Sequence, residues 1–279
     1  MDAFREAMRA RGYAPQRLTI EERYADGDLA RLPALAKELV DRKPDLLVTS
    51  STPGAAAAKK ATSTIPIVVV LVADPVGAGI VASLARPGGN VTGITNNVAD
   101  LGGKRLELLK QLVPGMTRVG VIVNPDSPNA PPQMRSVEAA ASRLGIQLVP
   151  FHVRRAEDLP GAVAAARAGS DAALRMIDPL VFNQRKETVA LAAKHRLPMA
   201  FPTTEDADAG GLIAYGANSP EQFKQAAVLA DKILQGAKPA DMPVEQPTKF
   251  DLVVNRSAAK ALGLTIPPGV LTLADRVID

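Results

Sequence analysis

Apolar positions run along this chain in two alternating rhythms. Short, nearly continuous apolar runs rich in Val and Ile alternate with longer stretches where apolar residues return every three or four positions. The first rhythm marks strands buried on both faces, and the second marks helices with one apolar stripe. In order, the pattern predicts a helix over 2–11, a strand over 18–24, a helix over 29–42 with Leu32, Leu35 and Leu39 on one face, and a strand over 45–49. A helix over 54–62, a strand over 67–72, a helix over 77–84 and a strand over 91–94 follow. After the polar stretch 95–103 a second series begins: helix 104–112, strand 119–123, helix 133–144, strand 147–153, helix 159–168, strand 172–177, helix 182–196 and strand 199–201. A strand over 212–215 then meets a helix opened by Ser219, Pro220 and Gln222, the residue types of an N-cap, first position and capping box. Phe223, Ala226, Ala227, Ala230, Ile233 and Leu234 form its buried stripe, and Gly236 closes it. The proline-punctuated segment 238–247 reads as a connector to a strand over 250–254 and a helix over 258–262.

Strands that alternate with helices and carry few polar residues predict parallel sheets covered on both faces. The two series also end alike. Ile65-Pro-Ile-Val-Val-Val leads to Asp74-Pro75, and Leu197-Pro-Met-Ala-Phe leads to Thr203-Thr204-Glu205. The predicted fold class is therefore α/β, with two Rossmann-like doubly wound lobes and a ligand cleft between them. Lobe 1 takes 1–97 with 217–240, and lobe 2 takes 98–216 with 241–279. In such lobes small ligands gather beyond the carboxyl ends of the strands, which draws attention to two strand-to-helix turns, Asp45 to Pro53 and Arg118 to Asn129.

Composition narrows the classes. At 279 residues and 47% hydrophobic, the chain can bury two cores, and its longest apolar run, Ile65 to Val72, is strand-sized. Asp2, Arg5, Glu6 and Arg9 predict that no secretion signal opens at Met1. Without cysteine there is no disulfide, thiol nucleophile or thiolate metal site. His152 and His195 lie far apart without ligand spacing, so no metal site is predicted. The net charge is +4, but basic residues are dispersed, with only isolated pairs such as Lys59-Lys60 and Arg154-Arg155, and aromatic residues make up 3%. That is not the footprint of a nucleic-acid binder.

The candidate chemistry sits at the strand exits. Thr49, Ser50, Ser51 and Thr52 offer hydroxyls beside the start of the helix that follows, where backbone N–H groups and the helix dipole favour a carboxylate. Helix capping accounts for one such hydroxyl. Asn124 and Asn129 flank the second turn. Asp74 and Asp178 each follow an apolar strand and precede a proline, placed either to accept from a ligand ammonium or hydroxyl or to form a turn. Gly77-Ala-Gly-Ile-Val-Ala82 has the shape of a dinucleotide fingerprint with Asp100 downstream, but four residues separate it from the strand, so its glycines do not form the strand-to-helix turn. No Walker loop, nucleophile elbow or metal cluster accompanies these residues. The chemistry points to recognition without turnover and to no cofactor. A cytoplasmic nucleotide-dependent α/β enzyme and a sensory ligand-binding module are the alternative readings.

Three segments are more specific. They are Asp74-Pro-Val-Gly-Ala-Gly-Ile-Val-Ala-Ser-Leu-Ala-Arg-Pro-Gly-Gly-Asn-Val-Thr-Gly-Ile94, Gly210-Gly-Leu-Ile-Ala-Tyr-Gly216, and Asp231 to Asn255, and the closing Lys260 to Pro268 fits with them. Together they resemble the ABC-transporter substrate-binding proteins related to the tryptophan-binding TrpX type. The resemblance implies a type I periplasmic-binding-protein fold whose two lobes close on a small-molecule ligand, an amino acid or an aromatic or small carboxylate. It also implies a monomer in the periplasm that delivers this ligand to an ABC permease in the inner membrane. Its ligand-facing turns correspond to Ser50, Ser51 and Thr52, Asp74, Asn124 and Asn129, Asp178, and the loop from Phe201 through Thr203 to Glu205, with Tyr215 at a strand exit. Phe201 and Tyr215 are the stacking candidates. Relatives carry a strand ahead of the helix matching 2–11. The first lobe is therefore expected to lack its first strand, leaving the strands near Leu18 and Leu46 to face a gap, pair directly, or borrow a strand from another molecule.

Overall fold

The apolar runs become parallel strands in the computed structural model, which describes residues 1–14, 16–96, 101–127, 129–247 and 249–279. The first series gives α1 (Asp2–Ala10), α2 (Leu32–Asp41), β1 (Leu47–Ser50), α3 (Thr52–Ala61), β2 (Ile67–Val72) and β3 (Val91–Thr95). The second gives α4 (Leu101–Leu112), β4 (Arg118–Val123), α5 (Ala130–Leu144), β5 (Gln147–His152), α6 (Leu159–Gly169), β6 (Ala172–Arg175), α7 (Pro179–Asn183), α8 (Arg185–Lys194), β7 (Met199–Phe201), α9 (Thr204–Asp208) and β8 (Ile213–Ala217). The chain closes with α10 (Ser219–Leu234), β9 (Phe250–Asn255), α11 (Arg256–Leu262), α12 (Pro268–Leu273) and β10 (Arg276–Ile278). It divides into two units, Met1–Asn97 with Ser219–Thr248, and Val98–Asn218 with Lys249–Asp279.

In the first unit, β1, β2 and β3 form a parallel sheet in that order. Val68 and Val70 of β2 face α1 and α10, burying Phe4, Met8, Ala226, Ala227 and Ala230, while Ile67 and Val69 face α3 and bury Ala55 and Ala58. The strand pleat sends successive side chains to opposite faces in this way. The pairing of β2 with β3 slips between Val69 and Val72, where Leu71 adopts φ +59. Opposite it, Gly93 (φ +151) is the one residue type that fits, since a Cβ there would stand 2.0 Å from the Val69 carbonyl oxygen.

The second unit holds a seven-stranded sheet in the order β10-β9-β8-β7-β6-β4-β5, parallel except where β8 meets β9. Val119, Val121 and Val123 of β4 pack under α4 and α5, and Ile122 turns to the other face under α6 and α8. The strand order reverses at β4, which lies between β5 and β6.

Four expectations are corrected. The segment 18–24 is not a strand. It does not pair with β1, whose strand neighbour among the described residues is β2. With no ladder to join, the segment is tied down by side chains, Glu22 to Arg5 at 2.8 Å and Arg23 to Glu38 at 2.7 Å. The segment 77–84 is a run of turns and bends instead of a helix, because Gly79 takes φ +66 and the Ile80 and Val81 N–H groups both return to the Pro75 carbonyl. The helix expected over 182–196 breaks at Gln184 into α7 and α8. Finally, residues 241–247 pack with the first unit: Thr92 Oγ1 donates to the Met242 carbonyl at 2.8 Å, and Glu245 pairs with β3.

Candidate functional site

At the exit of β1, Ser50 is exposed and Ser51 turns the chain with φ +69, a region that residues other than Gly, Asn and Asp rarely enter. Ser51 Oγ accepts from the Gly54 N–H at 3.4 Å and caps α3. Thr52 is buried, and its Oγ1 accepts from the Ala73 N–H at 3.4 Å, which joins the exits of β1 and β2. Two strained residues, Ser51 and Leu71, thus flank one pair of strand exits, and such strain gathers where function over-determines the backbone. Asp74 is exposed, with Oδ1 accepting from the Gly77 N–H at 2.7 Å. A Cβ at 77 would stand 2.1 Å from Asp74 Oδ2, so a larger residue there displaces the Asp74 side chain. The Gly77 turn does not open a helix, so the pyrophosphate geometry of a dinucleotide site is not formed there. Asp100 lies outside the described residues. In α10, Gln222 is buried, and neither side-chain amide atom has a hydrogen-bond partner among the described residues.

In the second unit the expected residues gather on neighbouring exits. Asn124 Oδ1 accepts from the Asp126 N–H at 3.1 Å. Buried Gln133 staples the exits of β4 and β6: its Nε2 donates to the carbonyls of Asn129 (3.0 Å) and Ile177 (2.9 Å), and its Oε1 accepts from the Ile177 N–H at 2.8 Å. Asn129 and Asp178, both buried, follow the exits of β4 and β6, where the strand order reverses. That is the place where open α/β sheets bind ligands. Asp178 Oδ1 also accepts from the Leu180 N–H at 2.9 Å, capping α7. Thr203 caps α9, donating from Oγ1 to Asp206 Oδ2 at 2.6 Å. Phe201 is 1% exposed and belongs to the core, and the Arg175 guanidinium lies over its ring, 5.9 Å from the centroid. Tyr215 is half-buried, its ring 6.2 Å from that of Phe250, and burial raises its phenol.

Three charged residues escape the sequence reading. Arg105 of α4, Arg175 at the end of β6 and Asp206 of α9 are all buried within the second unit. Arg175 Nη2 pairs with Asp206 Oδ2, and Arg105 Nε donates to the Tyr215 carbonyl at 2.7 Å. Burial, followed by repulsion from Arg175, pulls the Arg105 guanidinium down to about 9, against attraction from Asp206. Both ends of the Arg105 fork, Nε and Nη1 of Arg175, and Oδ1 of Asp206 have no hydrogen-bond partner among the described residues. The signals were present in the sequence: Arg175 interrupts an apolar strand, and Arg105 falls on the stripe with Leu101, Leu108 and Leu112.

A two-unit α/β fold with polar residues gathered at the strand exits is a frame for binding small molecules. The fold is that of the type I periplasmic binding proteins. The chain matches the ABC transporter substrate binding proteins over residues 1–278, and it belongs to that family. It is 29% identical, over 94% of its own length and 75% of the relative's, to a tyrosine-binding protein of Clostridioides difficile. Among solved structures it superposes on the ABC domain from Streptococcus pneumonia in complex with L-Trp (TM-score 0.92, 27% identity, 99% of this chain and 93% of that one). It also superposes on a conserved domain protein from Vibrio cholerae (TM-score 0.91, 32% identity, 99% and 94%). No helix among the described residues is long and apolar enough to cross a membrane.

Proposed function

We propose that this protein binds an amino acid, with the aromatic ones first in line, and hands it to an ABC permease in the inner membrane from the periplasmic side, with no turnover. The observation that carries this reading is the superposition on the L-Trp complex along 99% of the chain. The strand exits support it. Each unit carries its own polar candidates there, Ser50, Ser51, Thr52 and Asp74 in the first and Asn124, Asn129, Asp178 and Thr203 in the second, groups of the kind that hydrogen-bond an amino acid. Tyr215 supplies an aromatic face. Thermal melts with each amino acid in turn test the proposal. A ligand at a hundred times its Kd adds about 2.7 kcal/mol, so the true ligand raises the melting temperature by several degrees, whereas NAD leaves it unchanged. A shift with NAD and with none of the amino acids would return the protein to the nucleotide-enzyme reading.

A further inference from the structure

Resting on the amino-acid reading, we propose that Arg105, Arg175 and Asp206 form the charge receptor for the ligand, the two guanidiniums taking its α-carboxylate and the free Asp206 oxygen its α-ammonium. Of the two buried carboxylates of the second unit, Asp178 caps α7 and only Asp206 pairs with Arg175, so the cluster of Arg105, Arg175 and Asp206 sets two cations against one carboxylate. Burying the excess charge is expensive unless a counter-ion meets it. The free atoms match a zwitterion in kind: Nη1 and Nη2 of Arg105 and Nε and Nη1 of Arg175 are donors, and Asp206 Oδ1 is an acceptor. A guanidinium with both terminal nitrogens open is a fork that fits a carboxylate with two parallel hydrogen bonds.

The geometry is held from behind. Arg105 is anchored by its Nε on the Tyr215 carbonyl, and Arg175 by Nη2 on Asp206. Asp206 is itself fixed by the Thr203 N–H and hydroxyl. These contacts leave the terminal pair of Arg105, Nε and Nη1 of Arg175, and Oδ1 of Asp206 without a partner among the described residues. The α3 turn, by contrast, has little left to offer a carboxylate. Its Gly54 N–H is given to Ser51 Oγ and its Ala55 N–H to the Ser51 carbonyl.

The test has two arms, run on the full chain as wild type, Arg105→Met, Arg105→Lys and, as a surface control, Arg143→Met. In the first arm, calorimetry compares L-tryptophan and L-tyrosine with their carboxamides. Wild type and the control are expected to bind the acids at least about a hundredfold tighter than the amides, the scale of leaving a buried charged group unpaired. Arg105→Met loses that preference because both forms bind weakly, and Arg105→Lys restores part of it. A merely structural role would lower affinity for acid and amide together and leave their ratio intact, and that result would overturn the inference. In the second arm, potassium formate is compared with potassium gluconate at equal ionic strength in melts of the ligand-free proteins. Formate is expected to stabilise wild type and the control but not Arg105→Met. If formate separates wild type from Arg105→Met while no amino acid binds wild type, the charge receptor stands and the amino-acid reading falls. If amino acids bind and neither arm separates wild type from the Arg105 variants, the receptor falls and the reading stands. If neither probe acts on wild type, both fall. Where Arg105→Met does not fold, Arg105→Lys decides, since it keeps one charge and removes the fork.

Discussion

Asp178 illustrates how one side chain serves two readings at once. Its Oδ1 caps α7, while the residue follows Ile177, whose carbonyl Gln133 ties to that of Asn129. Substitution separates the roles. Asp178→Ser keeps a capping oxygen, so its melting temperature is expected to stay close to wild type, where Asp178→Ala loses about 1 kcal/mol. Both variants are expected to bind the amino-acid ligand at least about tenfold more weakly, a loss of roughly 1.4 kcal/mol. If the Ser variant binds as tightly as wild type, Asp178 is a helix cap only. Thr52 is the corresponding residue in the first unit. Thr52→Val removes the acceptor for the Ala73 N–H, and an unfolding free energy lower by about 1 kcal/mol, read from denaturant melts, is expected for a part-buried donor left unmet.

Among the elements, the strand starts of the second unit are held by Asp171. Its Oδ2 accepts from the backbone N–H groups of Thr117 (2.8 Å) and Arg118 (2.9 Å), bonds that hold its carboxyl below the usual carboxylate value. A folded value below the unfolded one contributes stability above the unfolded value, near pH 4, and loses it as pH falls through the folded value. Asp171→Asn is therefore expected to be less stable than wild type at pH 7 by about 1 kcal/mol, given the partial exposure of the site. In urea melts that gap narrows below pH 4. A gap independent of pH would remove the charge from the account. In the first unit, Gly93→Ala is expected to cost about 1–3 kcal/mol or more through the clash with Val69.

These elements also show what the sequence made legible. The strands 67–72 and 199–201 were read to the residue because continuous apolar runs bounded by prolines leave little choice. The segment 18–24 has a strand's composition and is no strand, since pairing depends on a neighbour and not on propensity. The segment 77–84 carries helical apolar spacing, which the positive φ of Gly79 overrides. At the site, Ser51, Asn129 and Asp178 were legible as small polar residues closing apolar runs. Arg105 and Asp206 were not, because burial of a charge is a tertiary property that charge itself argues against. For Phe201 the converse holds: its exit position is visible in the sequence, while the packing that buries its ring is not.

For the whole molecule, family membership and the superposition on the L-Trp complex place its work in capture of a small molecule, and the central claim is that this molecule is an amino acid. Titration calorimetry against the full set of proteinogenic amino acids tests that claim most directly. The account predicts one-to-one binding of L-tryptophan, L-tyrosine or another amino acid at micromolar Kd or tighter, worth about 8 kcal/mol, with a negative heat-capacity change as apolar surface is buried. Binding heat absent for every amino acid, with each present at millimolar concentration, would contradict it.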